Sequence, residues 1–124
     1  MIKVKRVYDA PSPEDGKRIL VDRLWPRGLK KENAAIDEWM KDAAPSSALR
    51  KWFSHDPEKW QDFKKRYLQE LKEKTEIMER LRKEAGKEVI TLLFSARDSE
   101  HNNAVALKEA VERRAPGKSI TGGS

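Results

Sequence analysis

Seven consecutive residues, Glu88-Val89-Ile90-Thr91-Leu92-Leu93-Phe94, constrain the fold more than any other stretch. The run is too short for a free helix and too apolar for a surface strand, so it reads as a strand covered on both faces. Arg18-Ile19-Leu20-Val21-Asp22-Arg23-Leu24-Trp25 repeats the pattern and is ended by Pro26 and Gly28. Residues Ile2 to Tyr8 alternate imperfectly, with Ile2, Val4 and Arg6 on one side and Lys3, Lys5 and Val7 on the other. The breaker Asp9-Ala10-Pro11-Ser12-Pro13 follows, so this too reads as a strand.

Helical patterns fill the intervals. Ile36, Trp39, Met40 and Ala43 make a stripe at i, i+3, i+4, i+7, stopped by Pro45. Ser46 suits the N-cap of a short helix carrying Leu49, Trp52 and Phe53. Asp56-Pro57-Glu58 is a start signal for one long helix from Pro57 to about Ala85, terminated by Gly86. Trp60, Phe63, Tyr67, Leu71, Met78 and Leu81 lie on its inner face, and Glu70–Lys74 and Glu76–Arg80 are four-apart pairs outside. A last helix from about Glu100 to Arg114 turns Ala104, Leu107 and Val111 inward, with Asp98 or Ser99 as its cap. Strands separated by helices pair in parallel through crossovers, which gives a small three-layer α/β sandwich with a mostly parallel sheet. Its 124 residues fit one domain, set at residues 1–116, with residues 117–124 a flexible tail or expression remnant.

The chain has no cysteine, which excludes disulfides, thiolate metal sites and cysteine nucleophiles. No stretch approaches the ~20 apolar residues of a membrane span, and the start is no signal peptide, so a cytoplasmic location without membrane association is expected. Charged residues are 39% of the chain, 27 basic against 21 acidic, for a net +6. That field favours anionic partners, phosphates or nucleic acid. A solvated, ion-paired surface is the plain alternative.

In open α/β sheets, ligands bind beyond the carboxyl ends of the strands. Two loops meet this condition: Asp22-Arg23-Leu24-Trp25-Pro26-Arg27-Gly28, and Ser95-Ala96-Arg97-Asp98-Ser99-Glu100-His101-Asn102 at a helix start. Parallel strands would bring Arg23, Arg27 and Arg97 together with free helix N–H groups, a setting for phosphate or carboxylate. Trp25 would supply an aromatic wall, and Asn102 joins the candidate ligand-binding set. The alternative is that Asp22 and Asp98 pair with these arginines and simply tie the loops.

Asp22, Asp98 and His101 are the candidate proton-moving residues. A helix-start histidine that bonds backbone or water is the bland reading of His101. His55 suits packing and hydrogen bonding, with a ligand-binding role second. No His-Glu-x-x-His or similar spacing points to a metal, and no motif names a cofactor. Phosphate-binding glycine loops, a Walker lysine and a Gly-x-Ser-x-Gly elbow are likewise missing. Trp39, Trp52, Trp60, Phe63 and Tyr67 fall at helical spacing, as core residues do.

Several strings resemble the YeaO-like group, a domain of unknown function designated DUF488. They are Lys5-Arg6-Val7-Tyr8-Asp9, Leu20-Val21-Asp22-Arg23-Leu24-Trp25-Pro26-Arg27-Gly28, Ala44-Pro45-Ser46, Trp52-Phe53-Ser54-His55-Asp56-Pro57, Thr91-Leu92-Leu93-Phe94, Ala96-Arg97-Asp98 and His101-Asn102-Asn103-Ala104. The resemblance implies a flavodoxin-like or Rossmann-like sandwich and assigns no substrate. Broader relatives carry a helix between the first two strands; Asp9 to Lys17 is too short for one, which leaves the pairing direction of the first strand open. Some members are labelled transcriptional regulators, but no helix-turn-helix with a basic recognition helix is visible here.

Three functions remain. The first is a binding or enzymatic domain for a small anion such as a nucleotide or sugar phosphate. The second is a nucleic-acid binder using Lys30-Lys31, Arg50-Lys51 and Lys64-Lys65-Arg66. The third is an interaction module with an apolar patch near Trp39 and Met40. Oligomeric state is not legible.

Overall fold

The computed structural model describes residues 1–119, with side chains through Arg113. Residues 120–124, most of the expected tail, lie outside the described residues. Four strands, β1 (Ile2–Arg6), β2 (Lys17–Leu20), β3 (Glu38–Trp39) and β4 (Ile90–Phe94), form one sheet in the order β1-β4-β2-β3. Every pairing is parallel, the first strand's included: Ile2 registers with Ile90, Lys17 with Ile90, and Ile19 with Glu38. The short connection between β1 and β2 holds a capped 3-10 turn, Pro13–Asp15, and no α-helix. β4 is buried at every position and occupies the interior of the sheet, as its apolar run requires.

The strand period of two sorts the core. Ile2, Ile19, Val21, Ile90, Leu92 and Phe94 face the helices α2 (Ser47–Phe53), α3 (Trp60–Lys72), α4 (Thr75–Lys87) and α5 (Asn103–Ser119). Val7, Leu20 and Leu93 face the other way, under a thin layer of Trp25, Leu29, Ile36 and Trp39 beside α1 (Lys31–Ala34). The result is a small α/β fold with one thick helical layer and one thin one. Met40 is buried and Trp39 half-buried, so that expected patch is mostly core.

The stripe Ile36-Trp39-Met40-Ala43 is not a helix. Ala35 adopts a left-handed conformation that ends α1, and β3 then pairs with the open edge of β2. Asp37 N–H donates to the Arg18 carbonyl at 2.9 Å and Met40 N–H to that of Leu20 at 2.8 Å, while Arg18 N–H donates to the Asp37 carboxylate. An unfilled sheet edge outweighs a four-residue helical period.

The long helix is two helices of 13 residues, broken where Lys74 (φ −112°, ψ 54°) leaves the helical region. Its ammonium caps the carbonyls of Asp42 and Ala44, which pins the break to the loop before α2. Neither expected outer pair forms: the break takes Lys74 away from Glu70, and Arg80, although four residues from Glu76 within α4, is taken by other carboxylates. Glu70 accepts instead from Ser46 N–H and Oγ, and Arg80 binds Glu38 and Glu84. Lys17 joins the same two carboxylates, so β2, β3 and α4 share one ion network. α4 runs past Gly86 to Lys87, with both of these last residues exposed. Tyr67 is fully buried; its hydroxyl donates to the Ala43 carbonyl, and burial pushes its ionisation upward.

Candidate functional site

Because all four strands are parallel, the ends of β1, β2 and β4 open on one edge of the sheet. A cleft of about 1040 Å³ lies there, between these ends, α2 and the start of α5. It is lined by every residue singled out from sequence: Asp22, Arg23, Trp25, Arg27, His55, Arg97, Asp98, His101 and Asn102. Arg6, Tyr8 and Arg50 join them; the sequence does not assign Arg6 and Tyr8 to the site, and offers Arg50 only as a nucleic-acid contact. The carboxyl-end rule would have found Arg6 and Tyr8 had β1 been read as parallel. Arg50 had no sequence signal beyond charge.

Five arginines therefore face one cleft. Among the described residues, none of Arg6, Arg23, Arg27, Arg50 and Arg97 has a carboxylate within ion-pair distance. Arg6 donates to the Ala96 carbonyl at 3.0 Å and lies 4.7 Å over the Tyr8 ring. Tyr8 in turn donates its hydroxyl to the Arg27 carbonyl at 2.8 Å, which holds the two loops together. Arg23 reaches the Pro45 carbonyl at 3.5 Å, and its Nε is buried with no hydrogen-bond partner among the described residues. Arg27, Arg50 and Arg97 are exposed.

The loop-tie alternative is half right. Asp22 does tie the loops, but to Ser95 and Asn103 and not to an arginine. Its Oδ2 accepts from Ser95 N–H at 2.9 Å and Ser95 Oγ at 2.8 Å, and its Oδ1 from Asn103 Nδ2 at 3.1 Å. Asp98 accepts from the N–H groups of Glu100 and His101. Its second oxygen lies 2.9 Å from His101 Nδ1. The Glu100 amide, then the His101 ring, hold this carboxyl below its usual range. The His101 ring meets Trp60 edge-on at 5.3 Å, so two contacts fix its plane and leave Nε2 as its uncommitted nitrogen.

Asn102 is the buried cap of α5. Its Oδ1 accepts from Val105 N–H and its Nδ2 donates to the Asp98 carbonyl, so α5 begins at Asn103 and not at Glu100. Trp25 donates Nε1 to the Leu29 carbonyl at 2.6 Å and packs edge-on to Trp39 at 5.4 Å, which fixes it as a wall. Leu24 is 59% exposed at the mouth.

Ser54 and His55 both have left-handed backbones (φ 48° and 58°) as the chain leaves α2, and His55 is exposed with its ring 6.4 Å from that of Phe53. A non-glycine residue there costs roughly 1–2 kcal/mol. Glycine gives part of that back through its unfolded-state entropy, so Ser54→Gly is expected to raise stability by about 0.5–1 kcal/mol in urea denaturation. An unchanged or lower midpoint would show that the turn is not strained.

Fold and cleft define a small, all-parallel α/β domain with a cationic, aromatic-walled cleft at the carboxyl edge of its sheet. The chain belongs to the DUF488 family: residues 1–120 match the group described as "Inactive DUF488-N3 subclade". It is 45% identical over 108 residues to the uncharacterised protein YeaO of Escherichia coli, covering 87% of this chain and 94% of that one. Uncharacterised proteins of Mycobacterium tuberculosis and Mycobacterium bovis are 39% identical over 113 residues, 91% of this chain and 95% of theirs. No solved structure matches. No helix among the described residues is long and apolar enough to cross a membrane.

Proposed function

We propose that the cleft binds a small phosphate- or carboxylate-bearing ligand, with a nucleotide-like body best suited to its walls. The observation that carries this reading is the convergence of five arginines that have no carboxylate partner among the described residues, one of them with a buried Nε that has no partner there either. Buried donors are nearly always satisfied, and like charges gathered in one cleft repel, so an anion there relieves both costs. Guanidinium groups match phosphate oxygens in bidentate fashion. Leu24 and Trp25 would flank a flat apolar group.

In this reading Asp22 is a positioning residue, because its carboxylate already accepts three hydrogen bonds. Asn102 holds the start of α5, and His55 closes the rim. A catalytic reading rests on the Asp98–His101 pair, whose geometry suits proton transfer at Nε2. The description of the subclade as inactive favours binding over turnover, with the same Nε2 left to contact the anion.

Inorganic phosphate and nucleoside monophosphates, tested by thermal shift, are the direct check. A ligand at a hundred times its Kd adds about 2.7 kcal/mol, on the order of 10 °C for a domain of this size. Arg97→Ala and Arg23→Ala are each expected to weaken binding about ten- to a hundredfold, the worth of one charge-assisted hydrogen bond. A melt unmoved by every anion, or a shift undiminished in both variants, rejects the reading.

A further inference from the structure

The cationic lining does not stop at the rim. Arg50 faces the cleft from α2, and Lys51, the next residue, is exposed on the same helix. One residue further, Trp52 organises two more cations from across the α2–α3 junction. The Arg66 guanidinium lies 4.1 Å from the centroid of its ring. The Lys59 ammonium lies 5.1 Å from the same ring and donates to the Trp52 carbonyl at 2.8 Å. Lys65 is exposed beside Arg66 on α3. Among the described residues, none of Arg50, Lys51, Lys59, Lys65 and Arg66 is in an ion pair.

This differs from an ordinary solvated charge run. Free lysine and arginine side chains lose up to about 2 kcal/mol of rotamer entropy when a ligand fixes them. Here an indole already holds two of them, so part of that ordering is complete before any ligand arrives. Because Trp52 is occupied by cations, its ring is not a platform for stacking bases. The face therefore suits a run of negative charges with regular spacing, not an aromatic ligand.

We propose that the α2–α3 face is a tract for the phosphodiester backbone of single-stranded nucleic acid, entered from the cleft through Arg50. The inference rests on the anion reading of the cleft, which would take the terminal phosphate and its nucleotide while Lys51, Lys59, Lys65 and Arg66 follow the next phosphates. A single strand fits better than a duplex, because a cleft of about 1040 Å³ walled by Tyr8 and Trp25 admits one nucleotide and not a helix.

The test is fluorescence anisotropy of a short 5′-phosphorylated oligonucleotide, run beside the phosphate thermal shift. With about five phosphates neutralised, the terminal one included, the slope of log K against log salt is about −3.5, so affinity falls roughly a hundredfold between about 50 and 200 mM salt. The exposed charge reversals Lys51→Glu and Arg66→Glu are expected to weaken the oligonucleotide tenfold or more each and to leave the phosphate shift intact. Trp52→Leu keeps every charge and is expected to lose severalfold in affinity at nearly the same salt slope, a result that charge alone does not give. An oligonucleotide that binds the wild type and both reversals equally overturns the tract. A persistent phosphate shift without oligonucleotide binding also overturns it, and spares the cleft reading. Capture on anionic lipid vesicles, lost in the same two variants while the oligonucleotide stays unbound, overturns it in favour of a membrane surface.

Discussion

Gly16→Ala is expected to destabilise the protein by about 3–5 kcal/mol, a large part of the roughly 5–15 kcal/mol that holds a domain together. Two independent costs add. Gly16 sits at φ 62° and ψ −136°, a region that is essentially closed to residues with a Cβ, at about 1–3 kcal/mol. A Cβ there would also stand 2.9 Å from the Val89 carbonyl carbon and Val89 Cβ, and closer still to the carbonyl oxygen. That carbonyl cannot retreat, because it accepts from Lys17 N–H at 3.0 Å at the start of the β2–β4 ladder. Forced overlap of this sort adds about 1–3 kcal/mol. Gly28→Ala is the control: its φ is also positive (76°), but nothing lies within 4 Å of the added carbon. Only the backbone term of roughly 1 kcal/mol applies there. Urea denaturation of the two variants separates the terms, and equal losses would refute the packing argument at Val89.

Much of this fold could be read from the chain because its centre is written in consecutive apolar residues. Val89 to Phe94 and Ile19 to Val21 admit few alternatives to buried strands, and once both are parallel their loops must share an edge. That is why Arg23, Arg27 and Arg97 were legible as one group. What stayed hidden depended on partners distant in sequence. The stripe of Ile36, Trp39, Met40 and Ala43 carries a genuine helical period, and only the open edge of β2 pulls Glu38 and Trp39 into a ladder. The break at Lys74 has no proline or glycine to announce it; it depends on carbonyls of Asp42 and Ala44 thirty residues away. Within the site, Asp22 read as an arginine partner because charge attracts charge. Its actual partners, Ser95 and Asn103, lie more than seventy residues on and are neutral. A sequence shows which residues carry charge more readily than which hydrogen bonds will saturate them.

The opposite edge of the sheet leads to the second large effect. Asp15→Ala is expected to cost about 3–5 kcal/mol, the usual consequence of removing one member of a buried ion pair. Asp15 and Arg18 are each only 4% exposed. One carboxylate oxygen accepts from Arg18 at 2.5 Å and from Ser12 N–H at 3.0 Å, and Lys5 reaches both oxygens at 3.2 Å. Replacing the pair by Asp15→Ala with Arg18→Met should recover little, because Arg18 also caps the carbonyls of Ala34 and Ala35. Those two acceptors and Ser12 N–H would remain without their partners, so a double-mutant cycle should show strong coupling and a still unstable double variant. The acid side gives a second readout. Burial works to raise the Asp15 pKa, but the Ser12 amide, Lys5 and Arg18 outweigh it and hold it below the usual 3.8. A carboxyl depressed by folding contributes stability above its unfolded pKa and loses it as pH falls through the lower folded value. Wild-type stability should therefore drop below about pH 4 by a component that Asp15→Ala lacks. This network fastens the amino end of β2 to Lys5 of β1 and to the Ala34 and Ala35 carbonyls, whereas the five arginines without a carboxylate partner among the described residues line the cleft at the carboxyl edge. The two edges should separate by experiment: Asp15→Ala lowers the melting temperature while the anion-induced shift persists in the folded fraction. If the shift disappears with the stability, the cleft depends on this corner, and the arginines are not an independently built site.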